Sequence, residues 1–200
     1  MSIYNFLPNK PRQDAVNPFV TWQNAFTQDE LNKIVEIFEL LEKDDAKVGT
    51  NDGGDVDLIV RRTKVAWVKN TPEHNWIYDR IAFVARSLNS KFYRFDLYGF
   101  VEDMQYTVYE DTDEGHYTWH MDIGAENECT RKLSLVVQLS SPDEYEGGGL
   151  EIMTSSEPVQ VTKEKGLICA FPSFILHRVT PVTKGTRRTL VIWIAGPDFV

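Results

Sequence analysis

The sequence predicts a mainly β protein with supporting helices, folded as a double-sheet jelly roll with N-terminal helices packed on one sheet. From residue 96 onward the chain breaks into about eight short β-rich runs, "FDLYGFVEDMQYTVYE", "YTWHMD", "KLSLVVQLS", "LEIM", "PVQVT", "LICAF", "ILHRVTPV" and "RRTLVIWIAG". Turn signals such as "DTDEG", "SPDEYEGGG" and "TKEKG" separate them, as expected where strands reverse direction. No helical interval divides these runs, which suggests a jelly roll rather than a βαβ fold. Helical periodicity is confined to the part before residue 96.

The first helix is expected in "TQDELNKIVEIFELLEKDD", where Thr27 and Glu30 make a capping box and Leu31, Ile34, Val35, Phe38 and Leu41 recur at helical spacing. A second follows Thr71, with Pro72 suited to its first turn and Trp76, Ile77, Ile81, Val84 and Leu88 on one face. Both present one apolar stripe, which a sheet would cover. Between them "KVGTNDGGDVD" has the composition of a mobile loop, and "LIVRRTKVAWV" reads as one or two strands. At 200 residues the chain suits one domain, with residues 1–95 as a helical support region and 96–200 as the jelly-roll core.

A net charge of -9 sets the surface against a phosphate backbone, so nucleic acid is not the expected partner. No apolar run approaches the roughly 18 residues of a membrane span, and the opening "MSIYNFLPNKPRQDAVNPFV" lacks an export signal, which makes a cytoplasmic location the expectation. Cys129 and Cys169 lie far apart and exclude a zinc ribbon or disulfide scaffold; Cys169, in "GLICAF", reads as a small buried hydrophobe. Oligomeric state is not legible.

Chemistry concentrates in "HYTWHMDIG", residues 116–124, which holds two of the four histidines. In a strand, residues i and i+2 face the same way, so His120 and Asp122 share a face. His116 has the same parity but lies about 13 Å away in an extended chain, too far to reach the same ion without a bend, which makes it the weaker candidate. After 54 further residues His177 follows in another β-rich run. Two imidazoles and a carboxylate on one side of a metal leave three positions open, the arrangement of non-haem Fe(II) oxygenases. A lone H-x-D is also a common hydrogen-bonded polar pair, and a lone histidine is often structural. Arg187 adds to the pattern. It begins the last long strand, where the series Arg187, Thr189, Val191, Trp193 mixes one cation with apolar groups as a ligand pocket does. Arg188 has the opposite parity and should face the other side of the sheet. A zinc hydrolase and a non-catalytic, metal-retaining jelly-roll module stay open as competing classes, although no H-E-x-x-H helix is present.

His120-Met121-Asp122, His177 and Arg187, with the text "VRRTKVAW", "LYGFVEDMQYTVYE", "RKLSLVVQLSSPDEYEGGGLEI" and "FPSFILHRVTPVTKGTRR" around them, resemble the iron and 2-oxoglutarate-dependent dioxygenases of the prolyl 4-hydroxylase and PKHD-type hydroxylase family. The resemblance implies a double-stranded β-helix in which His120, Asp122 and His177 bind Fe(II) and Arg187 pairs with the distal carboxylate of the cosubstrate 2-oxoglutarate. It implies further that Tyr109 and Ser134 bind the cosubstrate, that Arg131 and Trp193 line the substrate mouth, and that ascorbate is an accessory. The implied reaction hydroxylates a C–H bond and releases succinate and carbon dioxide. Its substrate would be a proline-containing peptide or protein, with the loop "KVGTNDGGDVD" closing over it; a small molecule or free amino acid is the alternative. Gln138 and Gly149 depart from the family, which usually has a tyrosine and a glutamate there.

Overall fold

The computed structural model describes residues 17–48, 56–123 and 129–199. The first helix, α1, spans Gln28–Glu39, and the Thr27–Glu30 box is formed in both directions: the Thr27 hydroxyl accepts from the Glu30 backbone and the Glu30 carboxylate from that of Thr27. Leu41 lies past its end and packs, half-buried, on the core. The second helix, α2, spans Asn75–Leu88, so Pro72 falls in the turn that precedes the helix rather than in its first turn.

Thirteen strands are defined among the described residues: β1 (Val20–Trp22), β2 (Asp44–Asp45), β3 (Arg61–Arg62), β4 (Lys64–Val68), β5 (Met104–Glu110), β6 (His116–His120), β7 (Thr130–Gln138), β8 (Tyr145–Gly147), β9 (Leu150–Met153), β10 (Pro158–Gln160), β11 (Ile168–Pro172), β12 (His177–Val179) and β13 (Val182–Gly196). They make two antiparallel sheets. The larger runs β1-β11-β7-β13-β5-β4-β2 with β8 paired to β13 beside this path, and the smaller runs β10-β9-β12-β6-β3. This is the jelly roll that the run of short strands predicts. Four strands precede residue 96, of which "LIVRRTKVAWV" signals β3 and β4, whereas β1 and β2 have two or three residues each, too few for periodicity to show. The loop at residues 47–57 lies mostly outside the described residues, at 49–55.

Two cores follow from strand alternation. One face of the larger sheet buries Met104, Tyr106, Leu133, Leu135, Leu190 and Ile192 against Leu31, Ile34 and Phe38 of α1 and Ile77, Ile81 and Val84 of α2. The other face turns into the roll, where Val136, Cys169 and Phe171 meet Leu150 and Ile152 of the smaller sheet. Cys169 is 2% exposed and burial pushes its thiol pKa up, as befits a packing residue.

One ion network clamps helix to sheet. Arg188 donates to the Glu39 carboxylate, which also accepts from the Tyr106 hydroxyl at 3.0 Å and pairs with Lys43 at 3.1 Å. Burial works to raise the Glu39 pKa, but Arg188, Lys43 and Tyr106 together hold it below the ordinary 4.5. A carboxyl with a depressed folded-state pKa adds stability above its unfolded value and loses it as pH falls through the folded one. Glu39→Gln is therefore expected to be less stable than wild type at pH 7, with the gap closing below about pH 4.5. Urea unfolding at both pH values measures this, and a gap constant with pH would remove Glu39 from the account.

Candidate active site

In the smaller sheet β12 lies between β9 and β6, and its register sets His177 directly opposite His120. β6 ends at His120, so Asp122 is not in the strand that parity assumes; its backbone N–H donates instead to the Ser173 carbonyl at 2.8 Å, which turns the carboxylate back toward the histidines. Potential ligand atoms of His120, Asp122 and His177 all lie within 4.8 Å of one another. The His120 Nε2 is 3.7 Å from Asp122 Oδ1 and the His177 Nε2 is 3.5 Å from Oδ2.

The surroundings prepare this trio to hold a metal. Nδ1 of His120 lies 2.7 Å from the Thr118 carbonyl and Nδ1 of His177 lies 2.9 Å from that of Ile175. A carbonyl only accepts, so each ring carries a proton on Nδ1 and turns Nε2 toward the carboxylate. Burial, reinforced by His177, pushes the His120 pKa down to about 3, so that ring is neutral. Burial by itself would raise the Asp122 pKa, but the two histidines and a 2.8 Å hydrogen bond from the Ser134 hydroxyl hold it below its ordinary value. Two imidazole nitrogens and one carboxylate oxygen, with the rings oriented by an outer layer of acceptors, suit Fe(II).

A β-bulge decides which neighbours join. Between the pairs His177–His120 and Val179–Tyr117, β12 advances two residues and β6 three. The extra residue reverses parity, as bulges do. Tyr117 thereby comes to the metal side and stacks on His120 with ring centroids 3.4 Å apart, while His116 is turned away to the Ile59 and Glu114 carbonyls. Simple alternation gives His116 the parity of His120 and so misses Tyr117. Arg61, paired with Tyr117 in register, lays its guanidinium 4.6 Å above the Tyr117 ring centroid and donates to Gln105 at 2.8 Å. His116→Ala is expected to bind metal as wild type does; calorimetric titration with Mn(II) checks it, and lost binding would promote that histidine.

A cavity of about 510 Å³ opens between the sheets, with the trio in one wall. Arg187, 2% exposed, enters it from β13 directly across from Tyr109, whose ring centroid is 5.3 Å from the guanidinium. Arg188 faces α1. Val136, Leu150 and Val179 line the same cavity with apolar groups. Ser134 differs from its expected place beside a cosubstrate: fully buried behind Asp122, it spends its hydroxyl on that carboxylate and on Ser173. Arg131 is forked onto Glu102, at 2.9 and 2.5 Å, and covers Trp193 at 3.9 Å from the ring centroid. Trp193, only 7% exposed, is thus shielded on that face, and its indole N–H lies close enough to Asp122 to favour the anion without completing a hydrogen bond. The open aromatic surface at the rim belongs to Trp67, 48% exposed and 6.3 Å from Trp193. "KVAWV" shows it only as a polar-face position in a strand.

Residues 104–195 match the family described as the 2OG-Fe(II) oxygenase superfamily. A PKHD-type hydroxylase of Teredinibacter turnerae is 47% identical over 68 residues, covering 33% of this chain and 30% of its own length. Another from a Synechococcus species is 40% identical over 81 residues, covering 40% and 37%. The chain spans about a third of the length of these curated relatives. Among solved structures, a Pseudomonas putida prolyl-4-hydroxylase has a TM-score of 0.69 at 15% identity, with 90% of this chain and 94% of that one covered. A Trichoplax adhaerens prolyl hydroxylase, solved with a hypoxia inducible factor oxygen degradation domain peptide fragment, has 0.74 at 15%, covering 90% and 84%. At such identity these structures establish a shared fold. His120, Asp122, His177 and Arg187 all fall inside residues 104–195, just under half of the chain, the part that is similar to the 2OG-Fe(II) oxygenase superfamily.

Proposed function

We propose that the chain is an Fe(II)- and 2-oxoglutarate-dependent hydroxylase that inserts oxygen into a C–H bond of a prolyl residue in a peptide or protein and releases succinate and carbon dioxide. The observation that carries the proposal is the meeting, in one cavity, of the His120–Asp122–His177 trio with the buried Arg187. A zinc hydrolase has no use for a second, anion-seeking pole. Bound iron and the 2-oxo acid supply the oxidising chemistry. The chain's part is positional. His120 and His177 present imidazole nitrogens, Asp122 offsets part of the metal charge, and Arg187 takes the far carboxylate of the cosubstrate in a dry, charge-assisted contact. Val136, Leu150 and Val179 keep water from the apolar part of the cavity.

For the substrate, the rim supports a chain with a small apolar ring. Trp67 offers an open indole face, and Arg131, already held by Glu102, lines the same cavity as a rigid donor for a peptide carbonyl. The test is to load the protein with Fe(II) anaerobically, add 2-oxoglutarate and ascorbate, and admit air with a library of proline-containing peptides. A one-oxygen mass gain on proline with matching succinate is the expected result. Succinate without any peptide product, but with hydroxylation of a free amino acid, would move the substrate to small molecules.

A further inference from the structure

Beyond Arg187 the roll is closed by Gln138 at the end of β7, Tyr145 on β8 and Lys163, none of which has a role so far. β8 is held against β13 through the pairs Gly185–Tyr145 and Val182–Gly147, which brings Tyr145, 3% exposed, into the interior beside Arg187. Lys163 donates to the Gly147 carbonyl and sits 4.5 Å from the Tyr145 ring centroid, so the ring is held from behind.

The hydrogen bonds around the phenol leave one proton over. The Gln138 Nε2 donates to the Tyr145 oxygen at 2.9 Å and to the Ser140 carbonyl at 3.2 Å. Ser140 fixes this amide orientation, since a reversed amide would set two acceptors, the Gln138 oxygen and the Ser140 carbonyl, against each other. Tyr145 is therefore the acceptor in its bond with Gln138, and its own O–H must donate elsewhere. Among the described residues nothing accepts it. The neighbour it meets is Arg187, another donor, whose Nε is buried without a partner. No carboxylate of the described residues is paired with Arg187, although burying a guanidinium without an anion is costly.

Glycine makes this corner possible. Gly148 has φ +57, and a Cβ there would lie 3.1 Å from Arg187 Cδ and 3.1 Å from Tyr145 Cε2. Its absence lets the two donors converge. Burial keeps the phenol protonated, because it raises the Tyr145 pKa against the lowering effect of Arg187.

We propose that Tyr145 is a cosubstrate-binding residue, whose hydroxyl, oriented by Gln138, donates to the same distal carboxylate that Arg187 holds. Arg187 supplies the charge. Tyr145 supplies a donor of fixed direction, and with it selection for a 2-oxo acid whose second carboxylate reaches this corner. The inference rests on the 2-oxoglutarate reading above, and its test separates the two. Protein loaded with Mn(II), which does not turn over, is titrated by calorimetry with 2-oxoglutarate and with pyruvate, which has the same 2-oxo acid end but no distal carboxylate. Wild type should prefer 2-oxoglutarate. Tyr145→Phe, which keeps the ring, should weaken 2-oxoglutarate about tenfold and leave pyruvate unchanged, and Gln138→Leu should shift the same ratio by less. Unaltered 2-oxoglutarate affinity in Tyr145→Phe, or equal weakening of both acids, overturns the assignment. If Tyr145→Phe does not fold, Gln138→Leu decides, and an unshifted ratio there has the same force. A wild-type protein that binds the two acids alike would overturn the 2-oxoglutarate reading itself.

Discussion

His120→Ala, Asp122→Ala and His177→Ala should each reduce succinate production to background while leaving the thermal transition cooperative. The three side chains project from β6, the turn after it and β12 into the cavity, and none belongs to any of the three apolar clusters. Removing one ligand of three should weaken metal binding by orders of magnitude, since each contributes a bond that the other two cannot replace. Asp122→Ala should be the most severe, because it removes the only anionic ligand and strands Ser134, whose hydroxyl would lose its 2.8 Å acceptor. Near-normal succinate in any one variant would show that the trio does not hold the metal. Circular dichroism separates loss of function from loss of fold.

Arg187→Met should raise the 2-oxoglutarate requirement tens- to a hundredfold, the effect of one buried charge-assisted contact of about 2–3 kcal/mol. Arg188→Met should leave that requirement unchanged and instead lower stability by about 1 kcal/mol, a small figure because its bridge to Glu39 is partly exposed. The contrast comes from strand alternation: Arg187 pairs with Tyr109 toward the cavity, Arg188 with Val108 toward α1. KM for 2-oxoglutarate and urea midpoints on both variants settle it. Exchanged effects would mean that β13 is shifted by one position against β5.

The grouping of His120, Asp122 and His177 was legible because few residue types can ligate a metal, and the inward face of Arg187 because alternation along one strand is a short-range rule. That rule fails where geometry departs from the ideal strand. Asp122 reaches the cluster through a backbone bond to Ser173 in a distant turn, and Tyr117 reaches it through a bulge; neither leaves a trace in local sequence. Arg131 and Trp193 read as open contacts, yet Arg131 is held by Glu102, 29 positions earlier, and covers one face of the indole. Gln138 reads as a departure from the family the sequence resembles, and only the folding of β8 onto β13 reveals the phenol beside it. The helices were legible through α1's capping box and apolar stripes, whereas β1 and β2 are defined by their partners, β11 and β4.

The pairing of His177 with His120 across β12 and β6 has a consequence for how the protein matures. An ion gripped by both rings staples positions 57 apart in sequence, in the five-stranded sheet, where β3 has two residues and β10 and β12 three each. Short ladders of that kind open readily, and a ligand that binds only the closed form resists opening by mass action. Iron supply would then govern the lifetime of the protein as well as its turnover, with the starved form exchanging its β6 and β12 amide protons, and meeting proteases, far sooner than the loaded one.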